Sequence, residues 1–151
     1  MKPMTHVILS TASSAILYGM VRSLEVALGC LLIGIFIDID HFLDYFMTYR
    51  RFSTLRVMYR RLLENRLHKF YLILHSYEII FFLWFSVLLW NRNEWIIGVA
   101  WGMTVHLLCD QIAMSKISAS PAVYLLTYRM ARNFRIPRML KDGTYKEVEE
   151  D

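Results

Sequence analysis

Five histidines and several aspartates stand inside or at the edges of strongly apolar stretches of this chain. They occur as Thr5-His6, Asp38-Ile39-Asp40-His41, His68, His75-Ser76 and His106-Leu107-Leu108-Cys109-Asp110. Ionisable side chains cost roughly 2.5–3.5 kcal/mol each near a bilayer centre on insertion scales, so where they occur they tend to serve a function. Imidazoles and carboxylates together suit zinc, manganese or iron. Asp38 and His41 are three residues apart, and His106 and Asp110 four apart, so on a helix each pair shares a face. His75 and Glu78 are also three apart, the Glu/His separation used in carboxylate di-iron bundles, here in reverse order. His68 and His75 would be about 10.5 Å apart along a continuous helix, too far to share one ion unless the helix begins after His68. The spacing therefore predicts a metal site for one or two divalent ions, with His6, Asp38, Asp40, His41, His68, His75, His106 and Asp110 as candidate ligands.

The elements that must position these residues read as membrane spans. Of the 151 residues 56% are apolar, and four stretches approach the ~20 apolar residues that cross a bilayer. They are Val7 to Val21, Val26 to Ile37 extended by Phe42 to Met47, Phe70 to Trp90, and Trp95 to Met114. A soluble bundle fits poorly, because Ile79 to Trp90 has no polar face to meet water. Lys2 and the first apolar stretch resemble the start of a signal peptide, but no clean cleavage site follows, so the stretch is read as a span. The fold class expected is all-α: a bundle of about four transmembrane helices over residues 1–116. A basic amphipathic interfacial segment over 117–140 and a disordered acidic tail over 141–151 complete the chain. Ser120-Pro121 reads as an N-cap followed by proline at the first helical position, opening a helix that ends before Pro137.

Charge sets the expected orientation. Arg50, Arg51, Arg56, Arg60, Arg61, Arg66 and Lys69 lie between the second and third spans. Lys116, Arg129, Arg132, Arg135, Arg138 and Lys141 follow the fourth. The positive-inside rule then places both termini and the long basic loop in the cytoplasm, with Asn91–Glu94 outside. This topology puts His6, the Asp38–His41 cluster, His75, His106 and Asp110 at one depth, in the cytoplasmic leaflet. Small residues (Ala12, Ser13, Ser14, Ala15, Gly19, Gly29, Gly34) suit close helix packing in lipid. Cys30 and Cys109 fall within spans and show no paired spacing, so no disulfide framework is indicated. Cys109 reads as a soft ligand beside Asp110 or as an inert buried thiol.

Taken in order, Thr5-His6, Asp38-Ile39-Asp40-His41, His75-Ser76 and His106-x-x-x-Asp110 give the chain a resemblance to the LexA-regulated inner-membrane metal-dependent hydrolases, the YdjM-like family. The resemblance covers roughly residues 4 to 125. It departs in the central element, where the family pattern His-Arg-Gly-x-Thr-His-Ser is replaced by His68-Lys-Phe-Tyr-Leu-Ile-Leu-His75-Ser76, two residues longer and without the glycine and threonine. It implies a multi-pass protein of the bacterial inner membrane and supports metal binding more firmly than hydrolysis.

The function expected is metal-dependent hydrolysis of a lipid or membrane-associated ester or phosphoester at the cytoplasmic face. Asp40 and Asp110 are candidates for a bridging or general-base carboxylate, and Ser76 for a donor orienting a ligand or for a nucleophile. Arg60, Arg61, Arg66 and Lys69 are candidates for headgroup contact, although membrane adhesion explains them as well. The partners expected are the bilayer and a lipid substrate, with no nucleic acid, and a homo-oligomer is left open. A non-catalytic protein with a structural metal site, or a relic motif acting through a partner, stands as the alternative. Transport would need polar residues in both leaflets, and apart from the short loops Arg22–Glu25 and Asn91–Glu94 the outer halves of the spans (Ala15 to Cys30, Phe81 to Trp101) contain almost none. Haem ligated by His75 and His106 would leave the aspartates unexplained. Simple hydrogen bonding between helices contributes only about 0.6 kcal/mol per contact, a small return for so many ionisable groups.

Overall fold

A computed structural model describes residues 3–50, 54, 57–58, 69–89 and 93–144. The named elements are all helical. They are α1 (Pro3–Val21), α2 (Leu24–Phe36), α3 (Ile39–Tyr49), α4 (Tyr77–Leu89) and α5 (Glu94–Met114), then a 3₁₀ turn (Pro121–Tyr124), α6 (Leu126–Ala131) and a second 3₁₀ turn (Ile136–Arg138). Three stretches are long and apolar enough to cross a bilayer: Met4–Val21, Leu24–Tyr49 (with a turn at Ile37 and Asp38) and Glu94–Met114. The chain forms two compact units. One comprises Met1–Ile37 and His75–Ala113, the other Asp38–Leu74 and Met114–Asp151.

In the first unit α1, α2, α4 and α5 come together through small residues and a few directed hydrogen bonds. Ser14 Oγ donates to the Ala27 carbonyl at 2.7 Å, tying α1 to α2. Leu17, Val26 and Cys30 form a buried cluster against Ile97. Between α2 and α5 the backbones themselves are in contact. A Cβ on Gly98 would strike the Val26 carbonyl oxygen, and one on Gly102 would lie 2.6 Å from the Cys30 carbonyl oxygen. Such approach is how apolar helices associate in lipid, where burying more apolar surface gives no net drive. Ser23 caps α2, accepting from the Val26 N–H at 3.1 Å, and its hydroxyl donates to Glu94 at 2.7 Å. Trp84 Nε1 donates to Thr104 Oγ1 at 3.1 Å, joining α4 to α5. The outer surface carries exposed Phe81, Phe82, Phe85, Leu88 and Leu89 on α4 and Ile8, Ile16 and Met20 on α1. That much apolar exposure fits lipid contact better than water.

The expected third span is shorter than Phe70 to Trp90. Its helix begins at Tyr77, and the described helix of 13 residues is about 20 Å long, short of a ~30 Å hydrocarbon core. The residues before it cannot join the helix. Leu72 has a left-handed backbone (φ +39°), and the N–H groups of Tyr71, Leu72 and Leu74 are taken by the carboxylates of Asp44 and Asp40.

Those carboxylates belong to the second unit, where α3 buries Asp40, Asp44 and Tyr45. The segment from Lys69 pairs with the C-terminal region: Lys69 and Arg135 form a β-bridge, and the Phe70 N–H donates to the Phe134 carbonyl at 2.8 Å. Arg129 is fully buried in this unit. Ser120 does act as an N-cap, accepting from Ala122 N–H at 3.2 Å, with Pro121 next. In place of one helix reaching Pro137, however, the segment is a 3₁₀ turn, the short helix α6 and a second 3₁₀ turn: Leu125 is extended (φ −82°, ψ 124°), and after α6 Asn133 and Phe134 adopt left-handed φ values of +54° and +58°. Arg60, Arg61, Arg66 and His68, and residues 145–151 of the acidic tail, lie outside the described residues.

Candidate metal centre

Four of the expected ligands meet in the first unit. His6 stands near the start of α1, His75 two residues before α4, and His106 and Asp110 one turn apart on α5. All four are buried, with relative exposures of 4%, 0%, 4% and 5%. The Asp110 carboxylate is the hub. Its Oδ1 lies 3.4 Å from His6 Nε2, and its Oδ2 lies 3.4 Å from His106 Nε2 and 3.8 Å from His75 Nε2. Nitrogen and oxygen ligands about 2.0–2.1 Å from a tetrahedral ion stand about 3.3–3.4 Å from one another. Two of the three separations match that spacing and the third is slightly wider. His6, His106 and Asp110 each offer a ligand atom within 4.8 Å of the others.

The imidazoles are oriented as well as gathered. His106 Nδ1 lies 3.0 Å from the Gly34 carbonyl oxygen on α2. A carbonyl can only accept, so Nδ1 carries a proton, which leaves Nε2, on the Asp110 side, as the nitrogen available to a metal ion. A ring N–H anchored on a backbone carbonyl is the usual arrangement behind a metal-bound histidine. Gly34 also leaves room for His6's helix: a Cβ there would strike the Ser10 side chain, one turn after His6. The His6 and His106 rings stack, with centroids 4.2 Å apart and planes 19° off parallel, and His75 meets His106 edge-on at 5.3 Å. Beside them is a cavity lined by His6, Ser10, Cys30, His106 and Cys109, with room for about one water. Both cysteines are free thiols.

Asp38, Asp40 and His41 belong to the second unit. Asp38 and His41 face each other across one turn, Oδ1 to Nε2 3.8 Å, and both are partly exposed. Asp40 is buried, and its Oδ2 accepts the Leu74 N–H at 2.8 Å. Lys69, expected near headgroups, lies 5.9 Å from the Tyr71 ring centroid. His75 does not lie on a helix with Glu78, so their three-residue spacing does not set a shared helix face; His75 sits in the bend before Tyr77. Ser76, fully buried, opens α4, its carbonyl accepting the Ile80 N–H at 3.3 Å.

Three features go beyond what the sequence led us to expect. The Gly34 carbonyl has no side-chain signature. Gly98 and Gly102 form a small-xxx-small pair within the last apolar stretch, a pattern that marks close helix packing. Asp44 lies one helical turn after Asp40, a spacing that puts both on one face of α3. Compared with known protein families, curated proteins and solved structures, the chain matches none.

Proposed function

We propose that this protein is a membrane-embedded metal-dependent hydrolase, acting on a lipid or membrane-associated ester or phosphoester at the cytoplasmic face of a bacterial inner membrane. The observation that carries the proposal is the convergence of three imidazoles on the buried Asp110 carboxylate, at 3.4, 3.4 and 3.8 Å. His6, His75, His106 and Asp110 would hold the ion, and zinc, manganese and iron all accept such a donor set. When bound, a divalent ion supplies Lewis acidity to the scissile group and acidifies water.

The protein's own groups do the rest. Gly34 fixes the His106 tautomer, so that an unprotonated nitrogen is presented without rearrangement. Asp110 offers one oxygen to His6 and the other to His75 and His106, a disposition that serves a chelating or a bridging carboxylate. The cavity beside His6 and His106 leaves a water-sized space next to these two imidazoles, which suits a catalytic site more than a closed structural one. Ser76, next to His75, is proposed to orient a ligand. The resemblance to the YdjM-like hydrolases supports metal binding, and Arg60, Arg61, Arg66 and Lys69 are proposed, on their charge alone, to attract an anionic headgroup. Four spans, with both termini cytoplasmic, complete the reading.

One observation favours a second reading. Three histidines and one aspartate are enough to close a tetrahedral zinc shell, which would make the ion structural. Detergent-purified protein loaded with zinc, manganese or iron separates the two when it is given vesicles of phospholipids and lipid phosphomonoesters. Hydrolysis lost on chelation and in Asp110→Ala supports catalysis. Metal retained with no turnover on any lipid supports the structural site.

A further inference from the structure

Lys69 and Arg135 form an isolated antiparallel β-bridge within the second unit, which sets two cations directly opposite each other. The neighbouring hydrogen bond runs from the Phe70 N–H to the Phe134 carbonyl at 2.8 Å, between the residues that flank the pair. Lys69 and Arg135 are therefore a non-hydrogen-bonded pair, the kind whose Cα atoms stand only about 4.5 Å apart and whose side chains lie closest. Like charges placed this way destabilise the pairing. Both residues are exposed, and among the described residues neither is paired with a carboxylate.

The backbone that sets them together is itself strained. Asn133 and Phe134, just before Arg135, have left-handed φ values of +54° and +58°, which non-glycine residues adopt when their surroundings impose it. The Tyr71 and Phe134 rings meet with centroids 4.9 Å apart, and the Lys69 ammonium lies 5.9 Å from the Tyr71 centroid. Two more exposed cations flank Arg135 in the sequence. Arg132 lies 5.0 Å from the Tyr128 ring centroid and donates to the Arg138 carbonyl at 3.1 Å.

We infer that Lys69 and Arg135 form a clamp for the phosphate group of an anionic lipid, the anion removing the repulsion between them. A phosphate suits the pair, because a guanidinium offers two parallel N–H donors to its oxygens and an ammonium adds a point charge. A lipid is the source because each cation lies in a basic segment that follows a span-length apolar stretch, Leu24–Tyr49 for Lys69 and Glu94–Met114 for Arg135. Basic residues so placed meet anionic headgroups. The inference rests on the headgroup contact proposed for Lys69 and is independent of the metal centre.

Full-length protein in an uncharged detergent, with a chelator present so that no lipid is turned over, is titrated with short-chain phosphatidic acid while its thermal unfolding midpoint is followed. Phosphatidylcholine of the same chain length and inorganic phosphate are the comparisons. Phosphatidic acid should raise the midpoint and phosphatidylcholine should not. Lys69→Glu and Arg135→Glu each turn the like-charge pair into an opposite-charge pair, so without lipid each should unfold at a higher temperature than the wild type. Each should also need at least about fivefold more phosphatidic acid for the same rise, the effect of one cation at an anionic surface. The double variant Lys69→Glu/Arg135→Glu restores a like-charge pair and should unfold below either single variant, with no rise. No rise in the wild type, an equal rise with phosphatidylcholine, or a lower starting midpoint in both single variants would overturn the inference. A rise retained in the single variants would assign headgroup attraction to other cations and overturn the clamp. An equal rise with inorganic phosphate at the same concentration would overturn the lipid as its source. Should a glutamate variant fail to fold, Lys69→Gln and Arg135→Gln are read instead, a weakened response supporting the clamp and an unchanged one overturning it. Hydrolysis is assayed separately on metal-loaded protein, so the catalytic reading and the clamp fail independently.

Discussion

Asp110 touches every histidine of the cluster, so it is where a single substitution has the largest effect. Asp110→Asn preserves shape but removes the charge and half the acceptor capacity. It is expected to weaken metal binding by more than the roughly 10–100-fold typical of outer-sphere partners, read by competition with a chromophoric chelator. Binding should also weaken as pH falls, because protons compete with the ion for three imidazoles and a carboxylate; a pH series of the same titration checks this. An affinity independent of pH would mean these groups are not ligands. At this scale much was legible in the sequence. The four-residue spacing of His106 and Asp110 gave their shared face, and the agreement in depth brought in His6 and His75. The Gly34 carbonyl was not legible, because a backbone acceptor leaves no mark on residue type. The place of Asp40 was half legible: its burial followed from its position, but its hold on Leu74 depends on where a distant segment runs.

The helices of the first unit depend on glycines at the contact of α2 with α5. Gly98→Ala places a methyl against the Val26 carbonyl and should destabilise the protein by about 1–3 kcal/mol, as overpacking generally does. A methyl group added at Gly19 on α1 would meet nothing within 4 Å, so Gly19→Ala should be neutral or stabilise by up to about 1 kcal/mol through helix propensity. Unfolding in mixed micelles with increasing dodecyl sulfate measures both. Equal effects at the two sites would contradict the packing described. Hydrophobicity located α2 and α5 as long apolar stretches and α1 as a weaker one, diluted by Ser10, Thr11, Ser13 and Ser14. It overextended α4 at its start, since Phe70 to Leu74 is as apolar as a span but is tied to side chains of α3. Apolar composition cannot show that backbone N–H groups have been claimed elsewhere. The same blindness applies to the C-terminal segment, where two left-handed residues stop α6 without a glycine or proline to announce it.

For the whole molecule, three stretches long and apolar enough to cross a bilayer, together with an apolar outer surface, fit a membrane protein. By the positive-inside rule the charge distribution predicts an orientation, with the basic segments on the cytoplasmic side. A periplasmic reporter inserted at Asn91–Glu94 should be active and one fused at the C-terminus inactive. The opposite pattern would move His6, His106 and Asp110 to the outer leaflet and remove the cytoplasmic substrate from the proposal.

The proposed hydrolytic function depends on the buried His/Asp cluster holding a metal ion. Elemental analysis of the detergent-purified protein, beside a folded His106→Ala/Asp110→Ala variant, tests that directly. One or two equivalents of a divalent transition metal are expected in the wild type, with a loss in the variant. No metal in the wild type after reconstitution with zinc, manganese and iron, or equal metal in both proteins, would contradict it.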